Sequence, residues 1–275
     1  MKKILYLECK TGAAGDMLMG ALYSLLTEEQ KVLFLEKLNA ISEEVCVIPQ
    51  KICKQGIGGI HMKVEINGTE EGTEAHHHHE HNHHEEEHGH THDHDHAHSH
   101  AHGQHSHTSV AAILEQISKL DMSDAVKRDA EGIYRNIAAA ESKVHQTDME
   151  QIHFHEVGSV DALIDVVGSC LALELLGVDE VQASPVCVGN GTVRCAHGIL
   201  PVPAPATAEI IKGMPVYCSS FDGELLTPTG AAILKYFVET YTKEMHMEIE
   251  EIGYGFGTKD FAQLSCVRAF LGYQK

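Results

Sequence analysis

Tryptophan is absent from this chain of 275 residues, and aromatic residues make up only 5% of it. That shortage argues against a large aromatic platform for a ligand or partner. Basic side chains are scarce too: 20 Lys and Arg stand against 40 Asp and Glu, a formal net charge of −20. A surface of that sign repels phosphate backbones and attracts cations, so no nucleic acid is expected as a partner. No stretch approaches the ~20 apolar residues that cross a bilayer, so no membrane partner is expected either. The start, "MKKILYLECKTGAAGDML", opens like a secretion signal, but Glu8, Lys10 and Asp16 interrupt the apolar run. A cytoplasmic protein is therefore expected. The eight cysteines include no C-x-x-C pair, so reduced, buried thiols are expected in place of a disulfide framework.

What the chain does have is histidine. Residues 76–107, "HHHHEHNHHEEEHGHTHDHDHAHSHAHGQHSH", are more than half imidazole, and between Lys63 and Lys119 there is no Lys or Arg. Such a tract buries too little apolar surface to offset chain entropy, so residues 69–108 are expected to form a disordered linker. Free imidazole has a pKa near ~6.5, so at neutral pH most of these rings can ligate a metal. Imidazole suits nickel, zinc and copper, and the interspersed carboxylates favour any divalent cation. The expected tract ligands include His76, His77, His78, His79, His90, His92, His94, His96, His98, His100 and His102. A plain polar linker has no physical need for them.

On either side of the tract, strand and helix patterns alternate. "KILYLE" reads as a buried strand and residues 15–26 as a helix. "EEVCVIPQ" and "GIHMKVEI" read as strands around a "KQGIGG" loop. Ser109 caps a helix, residues 123–146 carry a helical apolar stripe, and residues 159–177 form a buried helix stopped by Gly177. The expected fold class is α/β, with two α/β lobes, residues 1–68 and 109–275, bridged by the disordered His-rich linker.

Two kinds of site stand out. In "HFHEVGSVDALID", His153 and His155 share a face if they lie on a strand, and Glu156 follows directly. Asp161 and Asp165 are four apart on the next helix and share a face there. Together they amount to a candidate divalent-metal site, with an ordinary strand end and helix caps as the plain alternative. An H-x-H strand also opens many metal-dependent hydrolases, but only His197 and His246 follow to complete such a site. The second kind is a turn that leads into a helix, where backbone N–H groups can hold an anion. "TGAAGDM" (Gly12, Gly15, Asp16) and "TPTG" (Thr227, Thr229, Gly230) both fit, with tight structural turns or caps as the alternative. Neither is a Walker loop or a G-x-G-x-x-G.

"CKTGAAGDMLMGAL", "HFHEVGSVDALIDVVG", "GNGTVRCAHGILPVPAPAT", "ELLTPTGAAIL" and "GYGFGTKD", in that order, resemble the LarC family of nickel insertion proteins. The resemblance covers nearly the whole chain outside the insert. It implies nickel delivery into a pyridinium-bisthiocarboxylate mononucleotide, giving the nickel-pincer cofactor of lactate racemase, with nickel held by two sulfurs and one ring carbon. It further implies a CTP-dependent, lyase-class metal chelatase, with Mg or Mn accompanying CTP in a C-terminal domain of full-length relatives. This chain stops after "RAFLGYQK", so the resemblance implies the nickel-loading half, completed by a C-terminal half that arises in some relatives through a shift of reading frame. Glu8, where the family pattern implies Asp, departs from it. On this reading the tract collects nickel, and His153, His155 and Glu156 form the fixed site. His197 is an added ligand, with Asp161 and Asp165 around it. The partners implied are the mononucleotide, the C-terminal half and, indirectly, the lactate racemase apoprotein; self-association as a homo-oligomer is compatible. The competing expectations are a nickel store or metallochaperone without chemistry, and an H-x-H metal-dependent hydrolase.

Overall fold

The computed structural model describes residues 1–70, 108–154, 156–195 and 197–274. In chain order the main elements begin with β1 (Lys2–Glu8), α1 (Gly15–Ser24), α2 (Glu28–Asn39), β2 (Val45–Lys54) and β3 (Ile57–Ile66). After the tract come α3 (Val110–Lys119), α4 (Asp124–His145), α5 (Val160–Leu176) and β4 (Glu180–Ala183). The chain ends with β5 (Thr192–Cys195), β6 (Gly198–Pro201), α6 (Pro205–Ile210), α7 (Pro228–Phe237), β7 (Thr240–Tyr241), β8 (Glu248–Phe256) and β9 (Val267–Gln274).

The α/β class is as expected, but the two lobes are not. One mixed sheet runs in the order β7-β4-β1-β9-β8-β3-β2, so strands from before and after the tract interleave. β1 lies parallel to β4 and antiparallel to β9, and β8 lies parallel to β3. Each segment alone has too few strands to close its apolar face, and the sheet is completed only by sharing. Before the tract, Thr69–Glu70 is a short strand added antiparallel to β3. After it, Thr108–Ser109 pairs with His153–Phe154. The tract histidines from His76 to His107, and His155, lie outside the described residues.

Local chemistry explains the elements. Gln55 and Gly56 both have positive φ, as a two-residue hairpin turn between right-twisted strands requires, so "KQGIGG" is a tight turn inside a long hairpin. Thr27 and Gln30 form a reciprocal capping box that starts α2. Gly177, with φ +58, ends α5 as expected. α1 lies against the sheet, α5 packs on α1, and α4 packs on α5. α5 is apolar and buried around nearly its whole circumference, including Ile164, Val166 and Val167. Each such side chain contributes ~1.5–3 kcal/mol by leaving water.

Gly253 and Gly255 of "GYGFG" sit within strand β8, and Gly257 follows it directly. A Cβ on Gly255 would lie 1.8 Å from the Met17 carbonyl oxygen, and one on Gly253 would lie 2.2 Å from that of Ala21. They let α1 approach the sheet closely enough to bring its N-terminus to the site described next.

Candidate functional site

Three helices begin at one cavity of about 250 Å³. Its walls are the start of α1 (Gly15, Asp16), the start of α5 (Ser159, Asp161, Asp165), the start of α7 (Thr227, Thr229) and the segment 257–265 (Thr258, Lys259, Ser265). Helix N-termini carry partial positive charge, and three of them around one space favour a negative group. Each start has a local cause. Ser159 and Thr227 cap α5 and α7 by accepting from the N–H groups of Ala162 and Gly230. α1 has no side-chain cap on its own N-cap residue, Ala14. Asp165, reaching over from α5, lies against this start: a Cβ on Gly15 would stand 2.4 Å from its Oδ2, and the Asp16 N–H favours its charged form.

The two turns singled out in the sequence lie side by side. Ala13 donates its N–H to the Leu225 carbonyl at 2.9 Å, and Thr227 donates back to the Ala13 carbonyl at 3.1 Å. Gly12 and Gly230 serve this seam from behind the cavity wall. Gly12 has φ +89, and a Cβ there would lie 1.9 Å from the Leu225 oxygen; a Cβ on Gly230 would lie 2.4 Å from the Ala13 oxygen. Gly15, Asp16, Thr227 and Thr229 face the cavity itself.

Four carboxylate side chains line that cavity: Asp16, Asp161, Asp165 and Glu224. Burial pushes Asp165 well above the usual carboxylate range, and the charges of Asp161 and Asp16 push the same way. Asp165 Oδ1 has no hydrogen-bond partner, and neither has the buried Tyr134 hydroxyl. Burial also raises Asp16, against the pull of His61, the N–H groups of Met17 and Thr258, and Lys54. Lys259 is the one basic side chain on this wall among the described residues. The set combines oxygen donors suited to a hard or borderline cation with N–H groups suited to an anion.

The other expected ligands lie elsewhere. His153 is exposed on a two-residue strand opposite Ser109, away from the cavity wall. His155 is outside the described residues. The Glu156 backbone forms a single 3-10 turn that leads to Val157 on the cavity wall. His197 sits at the tip of the β5–β6 hairpin, in a second cavity, with its ring 5.0 Å from that of His145. Among the described residues, no three His, Cys, Asp or Glu side chains converge to hold a metal ion as they stand. Sequence reading missed Thr258, Lys259, Ser265 and Glu224; of these Thr258 and Lys259 had a signal inside "GYGFGTKD", and Glu224 at the start of "ELLTPTGAAIL".

Glu8 is held differently from its neighbours. Burial raises its carboxyl, but Lys10 and Arg268 outweigh this and keep it below the usual range. It pairs with Arg268 directly across β1 and β9 and with Lys10 at 2.7 Å, which makes it a strut of the sheet. No helix among the described residues is long and apolar enough to cross a membrane.

Comparison with known proteins places these observations. The family model described as "Nickel insertion protein" matches residues 5–275. The chain is 40% identical over 274 residues to the pyridinium-3,5-bisthiocarboxylic acid mononucleotide nickel insertion protein of Clostridium kluyveri, covering 99% of this chain and 63% of that protein. The protein of the same name from Geobacillus kaustophilus is 38% identical, over 98% of this chain and 60% of its own length. A putative nickel insertion protein of Dictyoglomus thermophilum is 36% identical, over 98% and 61%. The chain thus spans about three fifths of the length of the curated relatives it matches. No solved structure matches it.

Proposed function

The chain belongs to the nickel insertion protein family, and from that premise we propose that it is the nickel-loading portion of an insertase for a pyridinium-bisthiocarboxylate mononucleotide. The observation that carries this reading is the cavity where three helix N-termini meet the carboxylates of Asp16, Asp161, Asp165 and Glu224. The substrate has an anionic phosphate and thiocarboxylates, and the incoming ion is a dication. One site must accept both charges. The starts of α1 and α7, with Thr227, Thr229 and Lys259, supply the anion-binding side. Asp16, Asp161 and Asp165 supply oxygen ligands that hold Ni(II) loosely enough for sulfur to take it, since nickel favours the softer donors.

The His-rich tract gathers the ion. Its return point supports this role: Thr108–Ser109 pairs with His153–Phe154, and Thr108 Cβ lies 3.4 Å from where a Cβ on Gly158 would stand, next to the cavity residue Val157. In this reading His153, His155 and Glu156 receive nickel from the tract, and a CTP-dependent step with Mg or Mn belongs to the remaining length found in relatives. The product serves lactate racemase, the chemistry is of the lyase type, and the location is cytosolic. His153, exposed and outside the cavity, gives the hydrolase alternative no support.

The test is nickel transfer into the mononucleotide by this chain together with a polypeptide covering the rest of a relative's length. Asp161→Asn with Asp165→Asn should lower transfer at least tenfold. Undiminished transfer would remove the cavity from the mechanism.

A further inference from the structure

A second cavity, of about 290 Å³, adjoins the first, and Val157, Glu224 and Pro228 line both. Its outer wall carries His145, Glu141, Cys195 and His197. His145 is the last residue of α4, where the helix's partial negative charge favours a cation. Cys195 is the last paired residue of β5, opposite Gly198, and His197 follows in the two-residue tip between them. Elements remote in sequence thus bring two imidazoles, a thiol and a carboxylate to one cavity. None of the chemistry described above uses His145, Glu141 or Cys195.

We propose that His145 and His197 form an entry site for a borderline divalent cation, that Cys195 on the same cavity wall moves in as a third donor when the ion binds, and that the ion passes by Glu224 into the carboxylate cavity. The proposal rests on the reading that this chain handles Ni(II), and it assigns the residues by which the ion enters.

The ring geometry suits such a site. An imidazole nitrogen binds a first-row dication at ~2.0–2.1 Å, which puts the ion about 3.2 Å from the ring centre. Two rings held at a ligand–metal–ligand angle near ~100° then have centres about 4.9 Å apart. The His145 and His197 centres are 5.0 Å apart with the ring planes tilted by 47°, the separation expected of two neighbouring ligands. Glu141, one helical turn before His145, approaches its Nε2 at 3.4 Å. A carboxylate on one ring nitrogen orients the imidazole and strengthens the other nitrogen as a ligand.

Two rings and a thiol leave coordination positions open, which a site that must give up its ion requires; a closed four-ligand site would retain it. Imidazole and thiolate also select borderline metals such as nickel over magnesium or calcium, a discrimination that the carboxylates of the inner cavity cannot make. The outer site selects the metal and the inner one presents it.

The experiment uses the full chain with the histidines of 76–107 replaced by serine, so that the tract does not mask a single site, and Ni(II) alone as the probe in equilibrium dialysis. One ion should bind per chain. His145→Ala with His197→Ala should weaken binding at least tenfold, and Cys195→Ser should remove a sulfur-to-nickel absorption band in the near ultraviolet. Both histidines are exposed at the surface, so the fold should survive; should circular dichroism show otherwise, the His145→Gln, His197→Gln pair takes its place with the same expected loss. Unchanged affinity in the double variant, or no uptake by the serine-tract parent, overturns the proposal. Either failure leaves the inner-cavity reading standing, because Asp161→Asn with Asp165→Asn tests that reading separately by transfer.

Discussion

Asp165 on α5 sits against the start of α1, where the Asp16 N–H pulls its carboxyl down against the opposing push of burial. Two acids that the sequence separates by half the chain are thereby locked into one cavity wall.

The pH dependence of stability follows from that burial. The folded chain favours the neutral form of Asp165, so it keeps a proton that the unfolded chain releases near pH ~3.9. This contribution is complete below that pH and is lost as pH rises toward the folded-state value, with a slope of up to ~1.4 kcal/mol per pH unit. Asp165→Asn should flatten this decline in denaturant titrations run at successive pH values. An identical slope in the variant would show that the carboxyl is not held neutral.

Gly15 leaves room for that contact. A Cβ there would lie 2.4 Å from Asp165 Oδ2 and 2.7 Å from Asp165 Cβ. Gly15→Ala should cost ~1–3 kcal/mol of stability through overpacking. Gly58→Ala, with nothing within 4 Å, serves as the control. Equal denaturation midpoints for the two would sink the claim.

Thr227 caps α7 through the Gly230 N–H at 3.2 Å. Thr227→Ala should lose about 1 kcal/mol, and Thr227→Ser should keep it. If Thr227 also faces the ligand, the alanine variant should bind the mononucleotide more weakly as well. Calorimetry reads both effects.

The thiols should divide by exposure. Cys46, Cys53 and Cys218 are exposed, while Cys9, Cys170 and Cys187 are buried. Burial, helped by the Glu8 charge, pushes Cys9 up to about 12, and burial likewise raises Cys170. Brief treatment of the native chain with iodoacetamide, read by mass spectrometry, should modify the first three and spare the second three. Alkylation of native Cys9 at a rate near that of Cys46 would contradict the buried core.

Much of this was legible beforehand. β1, α4 and α5 follow from apolar periodicity and capping residues, and Asp161 and Asp165 are visibly one turn apart. β9 was not legible, because Arg268 and Gly272 break its apolar run. In the fold Arg268 meets Glu8 in register, and Gly272 is required where a Cβ would lie 2.0 Å from the Glu248 oxygen. The interleaving of the two segments was equally hidden, since pairing β1 with β4 and β9 is a long-range event with no local signature. The site was half visible: the residues of each helix start could be picked out, but their meeting depends on that pairing.

The position of β1 also bears on how the chain comes off the ribosome. β1 is made long before both its neighbours in the sheet, which begin at Glu180 and Val267. At ~5–20 residues per second, this apolar segment waits on the order of 10–50 s without a partner. The nascent chain must therefore be shielded or kept loosely collapsed until its last strand arrives.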